Sequence, residues 1–146
     1  MKPLHALAIA AAIPLAATTA LADPPRIVPG PVLARVVSVY DGDTFRVDAY
    51  PLPRHIVQFA VRLRGADTPE LRGECEAEKA RAEAAREFTA ARLGATVRLY
   101  NLEDDKYAGR FVADVTTESG EDLAQLLIAS GHARAYGGGA RRGRCD

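Results

Sequence analysis

The chain has 146 residues, of which 19 are basic and 19 are acidic, so its formal net charge is zero. This length suits one folded domain rather than two. The even balance of charge excludes a protein that packages nucleic acid through a general excess of basic residues. Charge is unevenly placed, however, since arginines crowd residues 132–146 and acids are frequent over residues 74–87.

The N-terminal segment has the features of a targeting sequence. An apolar, alanine-rich run over residues 6–17 follows Lys2, and residues 20–22 form a small-residue cleavage motif. We therefore expect a signal peptide over residues 1–22. An uncleaved membrane anchor is the alternative, but the run is interrupted by proline and is short for a bilayer span. The mature protein, beginning near Asp23, is expected to be exported to the periplasm or the medium and to leave the membrane.

The next segments predict an arm followed by a series of strands. Residues 23–31 are rich in proline and are expected to form a linker or an extended arm. Alternating or β-branched apolar residues predict five strands, at residues 32–40, 45–50, 55–64, 96–100 and 111–117. Asp41-Gly42 predicts a hairpin turn between the first two strands. In the third strand, the alternation keeps Arg62 off the face that carries Phe59, Val61 and Leu63.

Two helices are predicted, and their placement indicates the fold class. Apolar residues at helical spacing predict a long helix over 74–93, ended by Gly94, and a short helix over 123–130, capped by Asp122 and ended by Gly131. The buried face predicted for the long helix consists of Ala77, Ala80, Ala84, Phe88 and Ala91.

The order of three strands, a helix, two strands and a helix predicts a five-stranded Greek-key barrel of the OB type over residues 32–136. An open α+β sheet is the alternative. Residues 101–110 are expected to form a polar loop, and residues 137–146 a tail rich in glycine and arginine.

The two cysteines are Cys75 and Cys145. In an exported protein an even number of cysteines indicates a disulfide, although two free thiols remain the alternative. The bridge would close a loop of about 70 residues, which stabilises a fold by at most about 4 kcal/mol in the chain-entropy model. It would also pin the basic tail to the start of the long helix.

Three short motifs combine acids with arginines, at residues 41–44, 62–70 and 106–110. Taken singly, each fits a bland role: the first a tight turn, the second a helix entry, the third a polar loop. Together they supply hard oxygen donors and forked cations. A phosphodiester-cleaving site that uses a hard metal needs both, because oxygens hold the cation and guanidinium groups hold the phosphate.

In this order the motifs resemble those of the staphylococcal nuclease (thermonuclease-like) family, over residues 32–136. The matching pieces are Val39-Tyr40-Asp41-Gly42-Asp43-Thr44, Arg62 to Glu70, Asp105 to Arg110, and Asp122 to Leu127 followed by Gly131. The resemblance implies an OB-type barrel with a calcium-dependent phosphodiesterase site that acts on DNA and RNA.

The resemblance also implies a role for individual residues. These roles are ligation of one Ca²⁺ by Asp43, Asp67 and the carbonyl of Thr68, action on the attacking water by Glu70, phosphate binding by Arg62 and Arg110, and nucleotide contacts by Lys106, Tyr107 and Tyr136. The chain departs from the family's best-known member in several places, two of which lie close to these residues. Ala108 is an extra residue beside the tyrosine–glycine–arginine pattern, and Gly137-Gly138-Gly139 stands where a second tyrosine is expected.

We therefore predict an exported, monomeric, calcium-dependent nuclease of low sequence specificity. Single-stranded DNA or RNA is the expected substrate, because a shallow barrel face reads no groove. A non-catalytic OB-fold module that binds nucleic acid or another partner is the alternative. Retention of all the key acids and arginines favours the enzyme, and a secreted calcium-binding domain would leave the arginines unexplained.

Overall fold

A computed structural model describes residues 23–140 and residue 145. The predicted signal peptide lies outside these residues, as does most of the tail beyond Ala140. The described chain forms eight strands and two helices. In chain order they are β1 (Ile27–Val28), β2 (Val32–Val39), β3 (Thr44–Leu52), β4 (His55–Leu63), β5 (Ala66–Asp67), α1 (Glu76–Leu93), β6 (Thr96–Asp104), β7 (Arg110–Thr116), α2 (Leu123–Ala129) and β8 (Arg134–Ala135).

The five longer strands close into a barrel. β2, β3 and β4 form an antiparallel meander, β4 pairs with β7 in parallel, and β6 pairs antiparallel with both β7 and β2. Each strand of this closed, mixed barrel is thus paired on both sides, and helix α1 lies between the third and fourth of them in chain order. The prediction of a five-stranded OB-type barrel with a long and a short helix is confirmed.

The interior of the barrel is filled by the apolar positions that alternate along each strand. Phe45, Val61 and Leu99 are completely or almost completely buried, and Leu123 and Leu127 of α2 belong to the same core. α2 begins where predicted: the Asp122 carboxylate accepts a hydrogen bond of 3.0 Å from the Gln125 N–H. Such a cap satisfies a backbone donor that the first helical turn leaves unpaired.

The buried face predicted for α1 is wrong except at Phe88, which is half-buried and packs against the core. The buried positions are Glu78, Ala82, Ala85, Thr89 and Leu93, while the predicted alanines are exposed. The helix carries alanines on several sides, so more than one stripe fits the helical period. Contact with the β2–β3 turn selects the face, since the Thr89 hydroxyl donates a 2.6 Å hydrogen bond to the carbonyl of Gly42.

The segment between the predicted fourth and fifth strands is also more ordered than expected. β6 continues through Asn101, which adopts φ 50°, to Asp104, so only residues 105–109 form the loop. The proline-rich arm contributes β1, which pairs with β6 at Ile27 and Val28. The longer β6 and the extra strand β1 both depend on backbone pairing between strands, which the types of the residues indicate only weakly.

Asp48 in β3 lies at a position that the alternation assigns to the solvated face, but it is buried. Its carboxylate accepts hydrogen bonds from Gln58, at 2.8 Å, and from Arg35. These partners lower the pKa of Asp48, with the Gln58 hydrogen bond as the largest cause. The three residues thereby form a polar clasp that joins β2, β3 and β4.

Neither helix of the described residues combines the length and the apolar character needed to span a bilayer.

Candidate active site

The β2–β3 turn places the first acid of the site. The N–H groups of Tyr40 and Asp41 both donate to the Thr44 carbonyl, at 2.9 and 3.2 Å. The turn lies so close to α1 and to the segment after β5 that a Cβ at Gly42 would stand 2.6 Å from the Thr68 methyl. Glycine is therefore required at this position for steric reasons, and the next residue, Asp43, is held against the end of the barrel.

The Asp43 carboxylate is almost completely buried and accepts several hydrogen bonds. Its Oδ1 accepts from Arg62 Nη1 at 2.6 Å and from the Thr44 hydroxyl at 3.1 Å, and its Oδ2 accepts from the Thr68 N–H at 2.9 Å. Its backbone carbonyl accepts from the Leu63 N–H at 2.8 Å. Donors from β3, β4 and the segment after β5 thus fix this carboxylate in one position.

Arg62 connects this carboxylate to a second one. It is directly opposite Thr44 in the β3–β4 pairing, and its Nη2 donates to Asp67 Oδ1 at 3.3 Å. The Arg62 side chain is 9% exposed, so the ion pairs with Asp43 and Asp67 are shielded from water. The guanidinium fork can address two acids at once, which the single ammonium of lysine cannot do.

Asp41 belongs to the same cluster, although its sequence pattern indicated only a turn. Its carboxylate accepts a 3.1 Å hydrogen bond from the Asp43 N–H. Burial raises the pKa of Asp41 to about 6, and the nearby negative charge of Asp43 adds to the rise. The sequence held a signal for this placement, because Asp41 lies two residues before the predicted ligand Asp43 in the same tight turn.

The loop between β6 and β7 places the second arginine. Arg110 begins β7 beside Ala60 of β4, and its Nε donates to the Asp105 carboxylate. Its guanidinium carbon lies 4.4 Å from the centre of the Tyr107 ring, and the Lys106 ammonium lies 5.1 Å from the same centre. The extra residue at position 108 therefore still leaves Arg110 at the end of the barrel, stacked on an aromatic face.

An open cleft of about 810 Å³ is lined by both arginines. Its lining includes Arg62, Glu70, Lys106, Tyr107, Arg110 and Tyr136. Glu70 is exposed and directly follows the buried segment from Ala66 to Pro69. The cleft thus brings the proposed water-activating acid, both arginines and the proposed nucleotide contacts to one surface.

Tyr136 and the residues after it form one wall of the cleft. The Tyr136 N–H donates to the Gly65 carbonyl at 3.0 Å, and its hydroxyl donates to the Gly139 carbonyl at 2.6 Å. Residues 137–140 therefore fold back along the cleft where a second tyrosine was expected. Beyond them, Cys145 is bonded to Cys75 with a Cα–Cα distance of 5.9 Å, which ties the chain to the start of α1.

The acids paired with Arg62 suit a hard cation. Asp43 and Asp67 offer carboxylate oxygens, and the buried Thr68 hydroxyl oxygen has no hydrogen-bond partner within the described residues. Together with Asp41, three carboxylates surround the single guanidinium of Arg62, so the cluster carries excess negative charge. A divalent cation with a preference for oxygen would balance that charge.

A different group satisfies a purely geometric test for metal ligands. Within the described part of the chain, Cys75, Glu78 and Cys145 place one ligand atom each within 4.8 Å of one another. The two sulfur atoms are bonded to each other, so neither is available as a thiolate. The oxygen-rich group of Asp41, Asp43 and Asp67 is therefore the better candidate for a hard cation, whereas Glu70 lies on the lining of the cleft.

The family model described as staphylococcal nuclease homologue matches residues 60–143, which is more than half of the chain. The chain therefore belongs to the staphylococcal nuclease family. The matched segment includes Arg62, Asp67, Glu70 and Arg110. Asp43 precedes it, and the hydrogen bonds described above join Asp43 to that segment. No significant match was found among curated proteins.

Proposed function

We propose that this protein is an exported, calcium-dependent nuclease that hydrolyses phosphodiester bonds in DNA or RNA with little sequence specificity. One observation carries the proposal: a single cleft is lined by Arg62, Glu70 and Arg110, and Arg62 also donates to the buried carboxylates of Asp43 and Asp67. Members of this family are generally nucleases. The cleft supplies the groups that such a reaction needs.

The arginines can neutralise the negative charge of the substrate, which is the main obstacle to phosphodiester hydrolysis. A guanidinium presents parallel N–H donors that match two phosphate oxygens, and it remains charged at any working pH. Arg110 is pre-oriented by Asp105 and Tyr107, and Arg62 by its two carboxylates. Preorganised donors of this kind stabilise charge that develops in the transition state without having to reorient at that moment.

Asp43, Asp67 and the Thr68 carbonyl would hold the calcium ion. When bound, the ion supplies a Lewis acid for the phosphate oxygens. Glu70 is assigned the role of general base, which accepts the proton of the attacking water, because it is an exposed carboxylate on the lining shared by both arginines. General-base action of this type contributes about 10²–10⁴-fold in rate.

Unpaired strands are the proposed substrate. The cleft is open and carries Tyr107 and Tyr136 among basic side chains. Aromatic faces stack on any base, and cationic groups follow the backbone, so this combination suits single strands without regard to sequence. Export is proposed from the N-terminal sequence features.

The test uses purified mature protein and a fluorescent single-stranded oligonucleotide. Calcium should support cleavage and a chelator should abolish it. Glu70→Gln should reduce turnover by about 10²-fold or more, whereas Glu87→Gln, an exposed acid of α1, should leave turnover unchanged. Tight binding without cleavage under any divalent ion would instead identify a binding module, and turnover of Glu70→Gln within about tenfold of the parent would refute the role of Glu70.

A further inference from the structure

A second concavity of about 420 Å³ lies between α1, the end of α2 and the start of β8. Its lining includes Arg81, His132 and Arg134, and no acidic side chain of the described residues lines it. Arg81 and Arg134 are both exposed to solvent. We call this concavity the rear groove. Its composition favours an anionic ligand.

The rear groove is partly rigid. The His132 ring packs on Phe88 with 4.7 Å between ring centres, and the Arg92 guanidinium lies 5.1 Å from the Phe88 ring centre on the same helix. The backbone of His132 is held as well, since its N–H donates to the Leu127 carbonyl at 2.9 Å. The part of the groove lined by His132 is therefore held in place.

The rear groove adjoins the cleft along the chain. Pro69 lines the rear groove and the next residue, Glu70, lines the cleft. Arg134 lines the rear groove, and Tyr136, two residues on, lines the cleft. An extended chain advances about 3.3 Å per residue, so the two sites are separated by only about 7 Å of backbone. Arg134 also faces Asp67 in the β5–β8 pairing.

We infer that the rear groove binds backbone phosphates of the same polynucleotide whose scissile bond lies in the cleft. The inference rests on the proposed function. A strand that leaves the cleft past Glu70 or Tyr136 meets Arg81 and Arg134 next, and their forks match phosphate oxygens. Contacts to phosphates do not distinguish the bases, so they should raise the affinity for longer strands whatever their sequence.

Binding is measured with a Glu70→Gln parent, which keeps the substrate intact, and fluorescent thymidine oligonucleotides. The test variant adds Arg81→Gln and Arg134→Gln. The matched control adds Arg46→Gln and Arg98→Gln, which remove the same charge from exposed positions that line neither the cleft nor the rear groove.

For the test variant, affinity for a dodecanucleotide should fall about tenfold at low salt and affinity for a dinucleotide by less than about twofold, since only the longer strand reaches both sites. The salt dependence of dodecanucleotide binding should weaken by about 0.7 in log–log slope for each phosphate that the variant no longer neutralises. The control should behave as the parent.

Equal reductions in affinity for both lengths, or the same reduction in the control, would overturn the inference. Because Arg134 pairs with Asp67 in the β5–β8 ladder, its replacement could disturb Asp67. The single variant Arg81→Gln, on α1, avoids this and should by itself give a length-dependent reduction in affinity. Absence of cleavage by the wild-type protein, together with an intact length-dependent reduction, would refute the proposed hydrolysis while supporting the rear groove.

Discussion

Replacement of Arg62 by lysine separates the structural role of this arginine from its catalytic role. Arg62 donates to Asp43 through Nη1 and to Asp67 through Nη2, at 2.6 and 3.3 Å. The lysine ammonium is a single point charge on a stem that ends in one nitrogen. Arg62→Lys is therefore expected to keep the ion pair with one of the two buried carboxylates and to break the ion pair with the other.

The expected cost follows from burial. The side chains of Asp43 and Asp67 are 1% and 9% exposed, so solvent screens neither pair well. A hydrogen bond to a charged group contributes about 1.5–3 kcal/mol, and removing one partner of a buried pair outright costs about 3–5 kcal/mol. Because lysine keeps one pair, we expect the free energy of unfolding to fall by about 2–3 kcal/mol. The melting temperature should then fall by roughly 6–12 °C for a domain of this size.

Activity should fall independently of stability. Loss of one preorganised donor to the developing charge typically costs about 10²–10³ in kcat. Turnover of the labelled oligonucleotide at saturating calcium, measured well below the melting temperature, gives this number. Circular dichroism melting of the same sample gives the stability change.

Arg110→Lys is the matched comparison. Arg110 pairs with Asp105, and their side chains are 24% and 10% exposed, so this pair is less deeply enclosed than that of Arg62 with Asp43, and lysine can keep it. A similar loss of rate should therefore come with a stability loss of only about 1 kcal/mol. Melting of Arg62→Lys within about 2 °C of the parent, together with turnover within about tenfold, would refute the view that the fork serves both carboxylates and the substrate.

Three further changes test the surroundings of the site. Gly42→Ala should lower the melting temperature and the activity, since its Cβ would stand 2.6 Å from the Thr68 methyl; unchanged melting would show that the turn can shift. Asp48 has a lowered pKa when folded, so its contribution to stability is present above the ordinary carboxyl pKa of about 3.9 and lost as the pH falls through the folded pKa. Asp48→Asn should therefore destabilise the protein at pH 7 and converge on the parent in acid, in denaturant titrations across pH; an equal deficit at all pH values would contradict this. Cys145→Ser should lower the free energy of unfolding by up to about 4 kcal/mol, because the bridge to Cys75 spans a sequence separation of 70 residues, and an unchanged denaturation midpoint would exclude a stabilising role.

The sequence alone determined the order of the five barrel strands and the two helices, and it predicted which residues form the site. Alternation along β4 distinguishes Arg62 from the core residues Val61 and Leu63, and the residues around α2 predict its cap at Asp122 and its end at Gly131. These are local patterns of two to four residues, and local backbone geometry enforces them. The three motifs were close enough to their family pattern to indicate which acids and arginines share a site.

Only the tertiary structure decided features that depend on contacts between distant segments. The buried face of α1 was set by the Gly42 turn, because alanines on several sides left the helical period ambiguous. Asp41 belongs to the acid cluster because the fold buries it beside Asp43, which raises its pKa. Arg81 lies near the β5–β8 pair only because α1 packs on α2. Free energies of burial and charge pairing belong to the assembled surroundings of a side chain, so neither composition nor spacing could supply them.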